Sequence, residues 1–203
     1  MKTPNRYELE AWSKGLSVVG IDEAGRGPLA GPLVVAGVIF PQGYDSGEIN
    51  DSKQLTEKKR EALYDIIIRD ALFYDIRVVE VEEIDRLNIL EADRKAMTEI
   101  ALNSKADIIL TDAVDLYIDK KVISLIKGDT LSCSIAAGSI LAKVTRDRIM
   151  YEYDKIYPEY GFASHKGYGT KKHLEALEKY GVLPIHRKSY RPVMDRLQMS
   201  LFD

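Results

Sequence analysis

The chain has 203 residues, of which 45% are hydrophobic and 30% charged, and its net charge is −3. This length predicts a single domain, and no apolar run approaches the roughly 18 residues that a membrane-spanning helix needs. The one cysteine, Cys133, excludes an internal disulfide, and the first ten residues lack the apolar stretch of a signal peptide. We therefore expect a cytoplasmic monomer without membrane attachment.

The charges are distributed unevenly along the chain. Residues 1–142 carry 17 Lys and Arg against 24 Asp and Glu, a net charge of −7, whereas residues 143–196 carry 12 against 7, a net charge of +5. An acidic body with a basic C-terminal quarter is expected where a cation site lies beside a phosphate-binding surface. A chance imbalance on solvated faces is the alternative.

Hydrophobic periodicity and capping residues predict the order of the elements. In chain order we predict strands over 17–21 and 33–40, a helix from Thr56, a strand over 73–81, a helix over 84–100, strands over 107–111 and 122–126, and helices over 132–157 and 170–181. The connector GIDEAGRGPLAGP is too rich in Gly and Pro for a helix, so the first two strands should be antiparallel. The later alternation of strands and helices predicts an α/β fold with a mixed sheet.

Four carboxylates follow or end predicted strands. Asp22 and Glu23 come after the apolar segment VVGI, Asp112 ends IILTD, and Asp129 ends LIKGD. Adjacent carboxylates repel each other and are costly to desolvate unless a cation neutralises them. Together the four would supply the oxygen ligands that Mg²⁺ or Mn²⁺ prefers, enough for two ions that cleave a phosphodiester. Each acid by itself could instead be a turn cap or a solvated loop residue.

The segment Gly25-Arg26-Gly27 permits two interpretations. GRGPLA fits the pattern G-x-G-x-x-A of dinucleotide-binding loops. Against this, Asp22 and Glu23 would repel a pyrophosphate, and the strand-like LVVAGVIF follows where a helix is required. The segment NDSK also has no part in that interpretation. The alternative is that the two glycines let the main chain approach a sugar–phosphate while Arg26 supplies charge.

Seven segments together resemble one family. They are GIDEAGRGPLAGP, NDSKQLTEKKRE, LTD, KGD, AAGSILAKVTRDR, HKGYGTKKH and GVLPIHRKSY. In this order they resemble bacterial ribonuclease HII over about residues 17–192. The related ribonuclease HIII has a threonine-containing glycine loop and an additional N-terminal domain, so Arg26 and the chain length favour HII. The resemblance implies a ribonuclease H-like mixed sheet flanked by helices, with C-terminal helices forming one wall of a substrate groove, in one catalytic domain over residues 1–192.

The resemblance also implies roles for particular residues. Asp22, Glu23, Asp112 and Asp129 would ligate the catalytic metals. The loop Gly25, Arg26 and Gly27 would sense the ribose 2′-hydroxyl, and Tyr168 would pack against the sugar of the following nucleotide. Phosphate contacts would come from Lys53 and Lys166, with Ser139 and Lys143 as further candidates.

Two positions depart from the family's usual residues. Ala113 follows the third acid, near which many members have glycine, and Gly138 stands where alanine is common before Ser139. Neither position touches a ligand, so the departures concern the local backbone rather than the chemistry.

Other polar residues are interpreted from their local context. Cys133 is expected to pack in the core. His165 is a possible phosphate contact, whereas His173 and His186 are expected to be structural or at the surface, since the three lack zinc-ligand spacing. Asp147 is expected to form an ion pair on a helix surface.

The last residues, 193–203, are predicted to form a tail. Gln198, Leu201 and Phe202 resemble the short peptide by which bacterial replication and repair proteins bind the sliding clamp. An exposed Leu-Phe pair suits insertion into a hydrophobic pocket. The alternative is that Leu197 and Leu201 pack against the domain.

The residues and the resemblance together predict a metal-dependent endoribonuclease. It would cut the RNA strand of RNA–DNA hybrids and incise 5′ of single ribonucleotides in duplex DNA, leaving 5′-phosphate and 3′-hydroxyl ends. One rival is another metal-dependent nuclease, a junction resolvase or repair endonuclease, which would cut an all-DNA substrate. A nucleotide-cofactor enzyme would bind its cofactor without divalent metal. A non-catalytic hybrid-binding module would leave the clustered acids repelling the phosphate backbone without purpose.

Overall fold

A computed structural model describes residues 5–199. Its five strands are β1 (Val18–Ala24), β2 (Leu33–Ile39), β3 (Phe73–Val79), β4 (Ile108–Asp112) and β5 (Lys121–Leu125). They form one sheet in the order β3-β2-β1-β4-β5. The first three strands pair antiparallel, and β4 is parallel to both β1 and β5. This confirms the predicted mixed sheet and the antiparallel pairing of the first two strands.

Eight helices accompany the sheet within the described residues. They are α1 (Arg6–Trp12), α2 (Glu57–Asp70), α3 (Val81–Leu87), α4 (Ile89–Ser104), α5 (Cys133–Ile156), α6 (Phe162–His165), α7 (Lys171–Tyr180) and α8 (Arg191–Met199). The predicted caps of α2 and α7 are confirmed, because the Thr56 and Thr170 hydroxyls accept hydrogen bonds from main-chain N–H groups in the first turn. No helix in residues 5–199 is long and apolar enough to cross a membrane.

Two stretches differ from the predicted elements. The helix predicted over 84–100 is two helices, because Asn88 has a φ of 68° and its side chain caps α4 through the N–H groups of Leu90 and Glu91. The strand predicted to reach residue 81 ends at Val79, and Val81 begins α3. Helices α1, α6 and α8 were not predicted.

The sheet is covered on both faces, since alternate residues of β2 enter two different cores. Val35 packs with Met97 and Ile100 of α4, whereas Val34 and Ala36 pack against α5. Cys133 is fully buried in the second core, as predicted.

Helix α5 lies very close to the sheet at two glycines. A Cβ added to Gly20 of β1 would lie 2.3 Å from the main-chain nitrogen of Ile135, and one added to Gly138 would lie 2.7 Å from the carbonyl oxygen of Ala36. Glycine at 138 therefore allows a contact that alanine would block. This close packing holds Ser139, the next residue of α5, beside the sheet.

Ala113 is the other position that departs from the family's usual residues. It follows the end of β4 with a φ of 53°, the left-handed region that favours glycine. Its N–H group donates to the carbonyl of Leu125, which fixes the turn after Asp112. The chain therefore holds alanine in a strained conformation beside a candidate ligand.

The C-terminal helices pack on the segment that follows β1. Ala30 belongs to a cluster with Met150, Tyr160 and Phe162, and Leu29 packs with Leu177 of α7 and Val193 of α8. The predicted division at residues 192–193 falls inside α8, where Val193 is fully buried. These contacts place α6 and α7 beside the glycine-rich loop.

Candidate active site

Three of the four predicted acids converge at one edge of the sheet. Asp22 lies in β1, Asp112 ends the parallel neighbour β4, and Asp129 lies in a 3-10 turn, Gly128–Thr130, that follows β5. Each offers a carboxylate oxygen within 4.8 Å of those of the other two. We call these three residues the acid cluster. Asp22 lies inside its strand and pairs with Ala36 of β2, whereas the sequence placed it after the strand's end.

The acid cluster is electrostatically unfavourable without a cation. Burial, followed by the charges of Glu23 and Asp112, raises the pKa of Asp22 well above its usual 3.8. Burial, followed by the charges of Asp51 and Asp112, raises the pKa of Asp129 to about 6. Lys53 forms an ion pair with Asp129, with 4.0 Å between its Nζ and a carboxylate oxygen. A divalent cation would relieve this repulsion, and the oxygen donors suit Mg²⁺ or Mn²⁺.

Main-chain groups orient two of the carboxylates. Asp22 accepts a hydrogen bond from the N–H of Glu23 at 2.7 Å, and Asp112 accepts one from the N–H of Gly128 at 2.8 Å. The second bond ties the end of β4 to the turn that carries Asp129.

Glu23 lies outside the three-residue group. Its carboxylate is 3.8 Å from the guanidinium of Arg26, and its second oxygen is buried without a hydrogen-bond partner. Burial raises the pKa of Glu23 although Arg26 opposes the shift. Glu23 thus contacts the glycine loop and retains an oxygen that a further ligand could use.

A cavity of about 220 Å³ is bordered by Glu23, the residue after Asp22, and by Lys53, which pairs with Asp129. We call it the glycine cleft. Seven of the eight residues predicted to bind substrate line it: Gly25, Arg26, Gly27, Lys53, Ser139, Lys143 and Tyr168. Glu23, Ala24, Ser52 and Arg146 complete the lining. The predicted substrate residues therefore come from four separate segments to one cavity.

Lys166 is the predicted substrate residue that does not line this cleft. Its ammonium donates to the carbonyl of Ala163 and lies 3.9 Å from the ring centroid of Tyr151. A phosphate contact by Lys166 would require these interactions to be exchanged.

Arg187 holds the glycine loop and was missed by sequence reasoning. It is fully buried and donates to the carbonyls of Gly25 at 2.6 Å, Arg26 at 3.0 Å and Gly31 at 3.0 Å. Tyr190 donates a further hydrogen bond to the Arg26 carbonyl. The segment HRKSY gave no local signal that one of its basic residues is buried.

Arg146 is a second buried guanidinium beneath the loop. It donates to the carbonyls of Pro32, Ala30 and Lys166 at 2.9 to 3.1 Å. Burial, followed by the charge of Arg187, lowers its pKa to about 10. A Cβ on Gly25, whose φ is 102°, would lie 2.1 Å from the Arg146 side chain. The loop therefore requires glycine at position 25.

Asp93 of α4 was also missed. Its side chain is fully buried, and it lies 3.6 Å from the guanidinium of Arg26. Burial, followed by the charge of Glu23, raises its pKa to about 8. Arg26 thus lies between two carboxylates, which restrict its guanidinium.

Two interpretations of polar residues were wrong. His165 is buried, and both its ring nitrogens bond to main-chain groups, of Tyr160 and Gly167, so it has no nitrogen left for a phosphate. Asp147 is buried rather than on the helix surface, and it pairs with Lys143 at 2.7 Å. The ion pair at helical spacing is therefore present, and only the predicted surface position of Asp147 is wrong.

Known structures identify the class of this fold. Over 93% of this chain and all of the other, it matches ribonuclease H2 from Pyrococcus horikoshii OT3 with a TM-score of 0.77 and 29% identity. It also matches the structure of the PCNA:RNase HII complex from Archaeoglobus fulgidus, with a TM-score of 0.74 and 28% identity over 87% of this chain and 94% of that one. These matches place the chain in the class of ribonuclease H hydrolases.

Sequence comparison narrows the class to one family. The family model for ribonuclease HII matches residues 19–193. Ribonuclease HII of Clostridioides difficile (strain 630) is 54% identical over 194 residues, which cover 94% of this chain and 76% of the relative. The chain belongs to the ribonuclease HII family.

Proposed function

We propose that this ribonuclease H incises 5′ of single ribonucleotides in duplex DNA as well as cutting the RNA strand of RNA–DNA hybrids. The products would carry 5′-phosphate and 3′-hydroxyl ends. The observation that carries the proposal is the convergence of Asp22, Asp112 and Asp129 beside the glycine cleft. A metal-dependent nuclease that reads ribose can use a cation site at the phosphate and a groove that contacts the adjacent sugar.

The acid cluster supports a divalent-metal site. We assign Asp22, Asp112 and Asp129 as ligands of Mg²⁺ or Mn²⁺, with Glu23 completing the set for a second ion. When bound, two such ions activate water and stabilise the charge on the leaving oxygen. The chain contributes by holding the acids at fixed positions through the N–H groups of Glu23 and Gly128.

The glycine cleft supports selection of ribose. A Cβ on Gly27 would lie 3.5 Å from the Tyr168 ring, so the loop and the ring form a narrow passage. Tyr168 is 46% exposed and can pack its ring against a sugar. Because Arg187 fixes the carbonyls of Gly25 and Arg26, the loop can present main-chain groups to a 2′-hydroxyl without reorganising.

Polar side chains around the cleft support phosphate binding. Lys53 is 79% exposed next to Asp129, and Ser139 bonds with Ser52 of the NDSK segment at 2.7 Å. Lys143 and Arg26 add positive charge to the lining, although each is paired with a buried carboxylate. We assign these side chains to the phosphates that flank the cleaved bond.

Neutral variants of the acids test the metal assignment. Asp22→Asn and Asp112→Asn should each lower turnover by at least about 100-fold, because the variants lose ligand charge at the reacting phosphate. Affinity for the hybrid, measured by fluorescence anisotropy, should be largely preserved. Asp65→Asn, an exposed position on α2, is the matched control and should retain full activity. Near-normal turnover of Asp22→Asn or Asp112→Asn would contradict the assignment.

We further propose that the C-terminal peptide binds the bacterial sliding clamp. The archaeal structure reported above is a complex of RNase HII with PCNA. In this chain Gln198 is exposed on α8, whereas Leu201 and Phe202 lie outside the described residues. A peptide of residues 194–203 should bind purified clamp, and the same peptide with Phe202→Ala should not. No binding of the native peptide at high micromolar concentration would remove the proposal.

A further inference from the structure

Three histidines lie directly behind the loop that carries Tyr168. His173 and His186 are fully buried and His165 is 8% exposed, and they pack with the rings of Tyr160 and Phe162. We call the three residues the histidine cluster. The metal site and the glycine cleft do not use them.

The hydrogen bonds fix which nitrogen of each ring carries a proton. The N–H of Leu183 donates to Nδ1 of His186 at 2.9 Å, so the proton of a neutral His186 is on Nε2. That Nε2 faces Nε2 of His173 at 3.0 Å, which must therefore accept. The proton of His173 is consequently on Nδ1, which donates to the carbonyl of Tyr168 at 2.9 Å. One directed chain runs from Leu183 to Tyr168.

His165 fixes the same loop from its other side. Its Nδ1 accepts from the N–H of Gly167 at 3.2 Å, so its Nε2 donates to the carbonyl of Tyr160 at 2.8 Å. The N–H of Tyr168 donates to the carbonyl of His165 at 2.9 Å. The rings of His165 and His173 stack with centroids 4.6 Å apart. Both main-chain polar groups of Tyr168 are thus bound to histidines of the cluster.

The cluster also contacts the segment that follows the glycine loop. The N–H of Leu29 donates to the carbonyl of Gly167 at 2.8 Å, and Ala30 forms an isolated antiparallel bridge with His186. The histidine cluster and the loop that carries Tyr168 are therefore tied to the segment that follows Gly27.

The arrangement requires neutral rings. A second proton on any of the three would set an N–H against another N–H. Burial lowers the pKa of all three, that of His186 to about 4. For His165 the charge of Lys172 adds to this effect and that of Asp154 opposes it, while His173 and His186 lie next to other histidines of the cluster. At neutral pH the chain of donors is therefore intact.

We propose that His173 and His186 are positioning residues that fix the main chain of Tyr168 and so present its ring to the sugar beside the cleaved phosphate. The inference rests on the proposed role of Tyr168 in ribonucleotide selection. It assigns a part in substrate specificity to His173 of HKGYGTKKH and His186 of GVLPIHRKSY.

The first test examines the donor chain itself in the full-length protein. Long-range ¹H–¹⁵N spectra of histidine-labelled protein at pH 7 report which ring nitrogen is protonated. We expect the Nδ1–H form for His173 and the Nε2–H form for His165 and His186. An Nε2–H form of His173, or a charged ring in the cluster, would overturn the proposal without any variant.

The second test compares two substitutions of His173. The amide of His173→Asn can replace the Nδ1 donor to Tyr168, whereas that of His173→Gln replaces Nε2 and loses this donor. We expect His173→Gln to lower kcat/KM on a duplex with a single ribonucleotide about tenfold, the value of one hydrogen bond, and His173→Asn to stay within about threefold. Equal losses in the two variants, or no loss in His173→Gln, would count against positioning.

A Tyr168→Ala background separates this proposal from the proposed function. If the histidine acts through Tyr168, His173→Gln should cause no further loss once the ring is absent. If Tyr168→Ala alone leaves kcat/KM unchanged, the role of Tyr168 fails and the positioning proposal fails with it. If Tyr168→Ala is impaired while His173→Gln is not, only the positioning proposal falls.

Discussion

The buried carboxylates of the acid cluster destabilise the folded protein when no cation is bound. Asp22 and Asp129 are buried beside other carboxylates, and burial and repulsion raise the pKa of each. Such buried, mutually repelling carboxylates are retained at functional sites because a bound cation neutralises their charge and offsets the lost stability. The acid cluster is therefore expected to lower the stability of the metal-free protein at neutral pH.

The raised pKa of Asp129 predicts how the stability of the metal-free protein depends on pH. Its pKa rises from 3.8 in the unfolded chain to about 6 in the folded protein, so it contributes stability that is present below 3.8 and lost as the pH rises through about 6. The free energy of unfolding of Asp129→Asn, relative to the unmodified chain, should increase over this interval. Urea unfolding in EDTA measures the difference, and a difference that does not change with pH would refute the electrostatic interpretation.

Substitutions of the two small residues Ala113 and Gly138 should change the free energy of unfolding in opposite directions. Ala113→Gly relieves a positive φ and should raise the free energy of unfolding by up to about 1 kcal/mol, whereas Gly138→Ala sets a Cβ 2.7 Å from a main-chain oxygen and should lower it by roughly 1–3 kcal/mol. Denaturant unfolding of both variants checks the pair. A destabilising Ala113→Gly would show that the backbone after Asp112 is not strained.

At the scale of elements, the conformation of the glycine loop is stabilised by a residue distant in sequence, Arg187. Arg187, located between α7 and α8, donates to three carbonyls of the segment that joins β1 to β2. The Arg187 side chain thereby connects the C-terminal helices to the loop that lines the glycine cleft.

Replacement of Arg187 should reduce selectivity through the loop. Lysine offers one ammonium in place of the guanidinium fork and cannot reach all three carbonyls, so Arg187→Lys should lower the preference for a ribonucleotide-containing duplex over all-DNA by at least about tenfold. Arg191→Lys, at a position with an 88% exposed side chain, is the control. Cleavage rates on the two substrates measure the preference, and unchanged selectivity in Arg187→Lys would exclude this role.

The elements themselves were largely predictable from the sequence. Alternating apolar residues gave the strands, and Thr56 and Thr170 marked two helix starts because their hydroxyls satisfy main-chain N–H groups. The break at Asn88 was missed because apolar spacing continues through it, while the capping depends on a positive φ that spacing does not encode. Element boundaries depend on such local conformations more than element type does.

At the scale of the whole molecule, motif order predicted which segments meet but not how buried they are. Seven of the eight predicted substrate residues line one cleft. Arg187 and Asp93 were missed, and Asp147 was placed on the surface, because burial of a charged side chain is decided by distant segments and leaves no periodic signal. His165 differs, because its ring bonds to main-chain groups of the nearby Tyr160 and Gly167 through a loop conformation that residue spacing does not encode.

The most direct measurement follows cleavage of a labelled DNA duplex that carries one ribonucleotide, with an all-DNA duplex of the same sequence beside it. In Mn²⁺ or Mg²⁺ we expect a single cut on the 5′ side of the ribonucleotide, an intact all-DNA duplex, and no cut in EDTA or with Asp22→Asn. Cutting of the all-DNA duplex, or cutting that persists without divalent metal, would contradict the account.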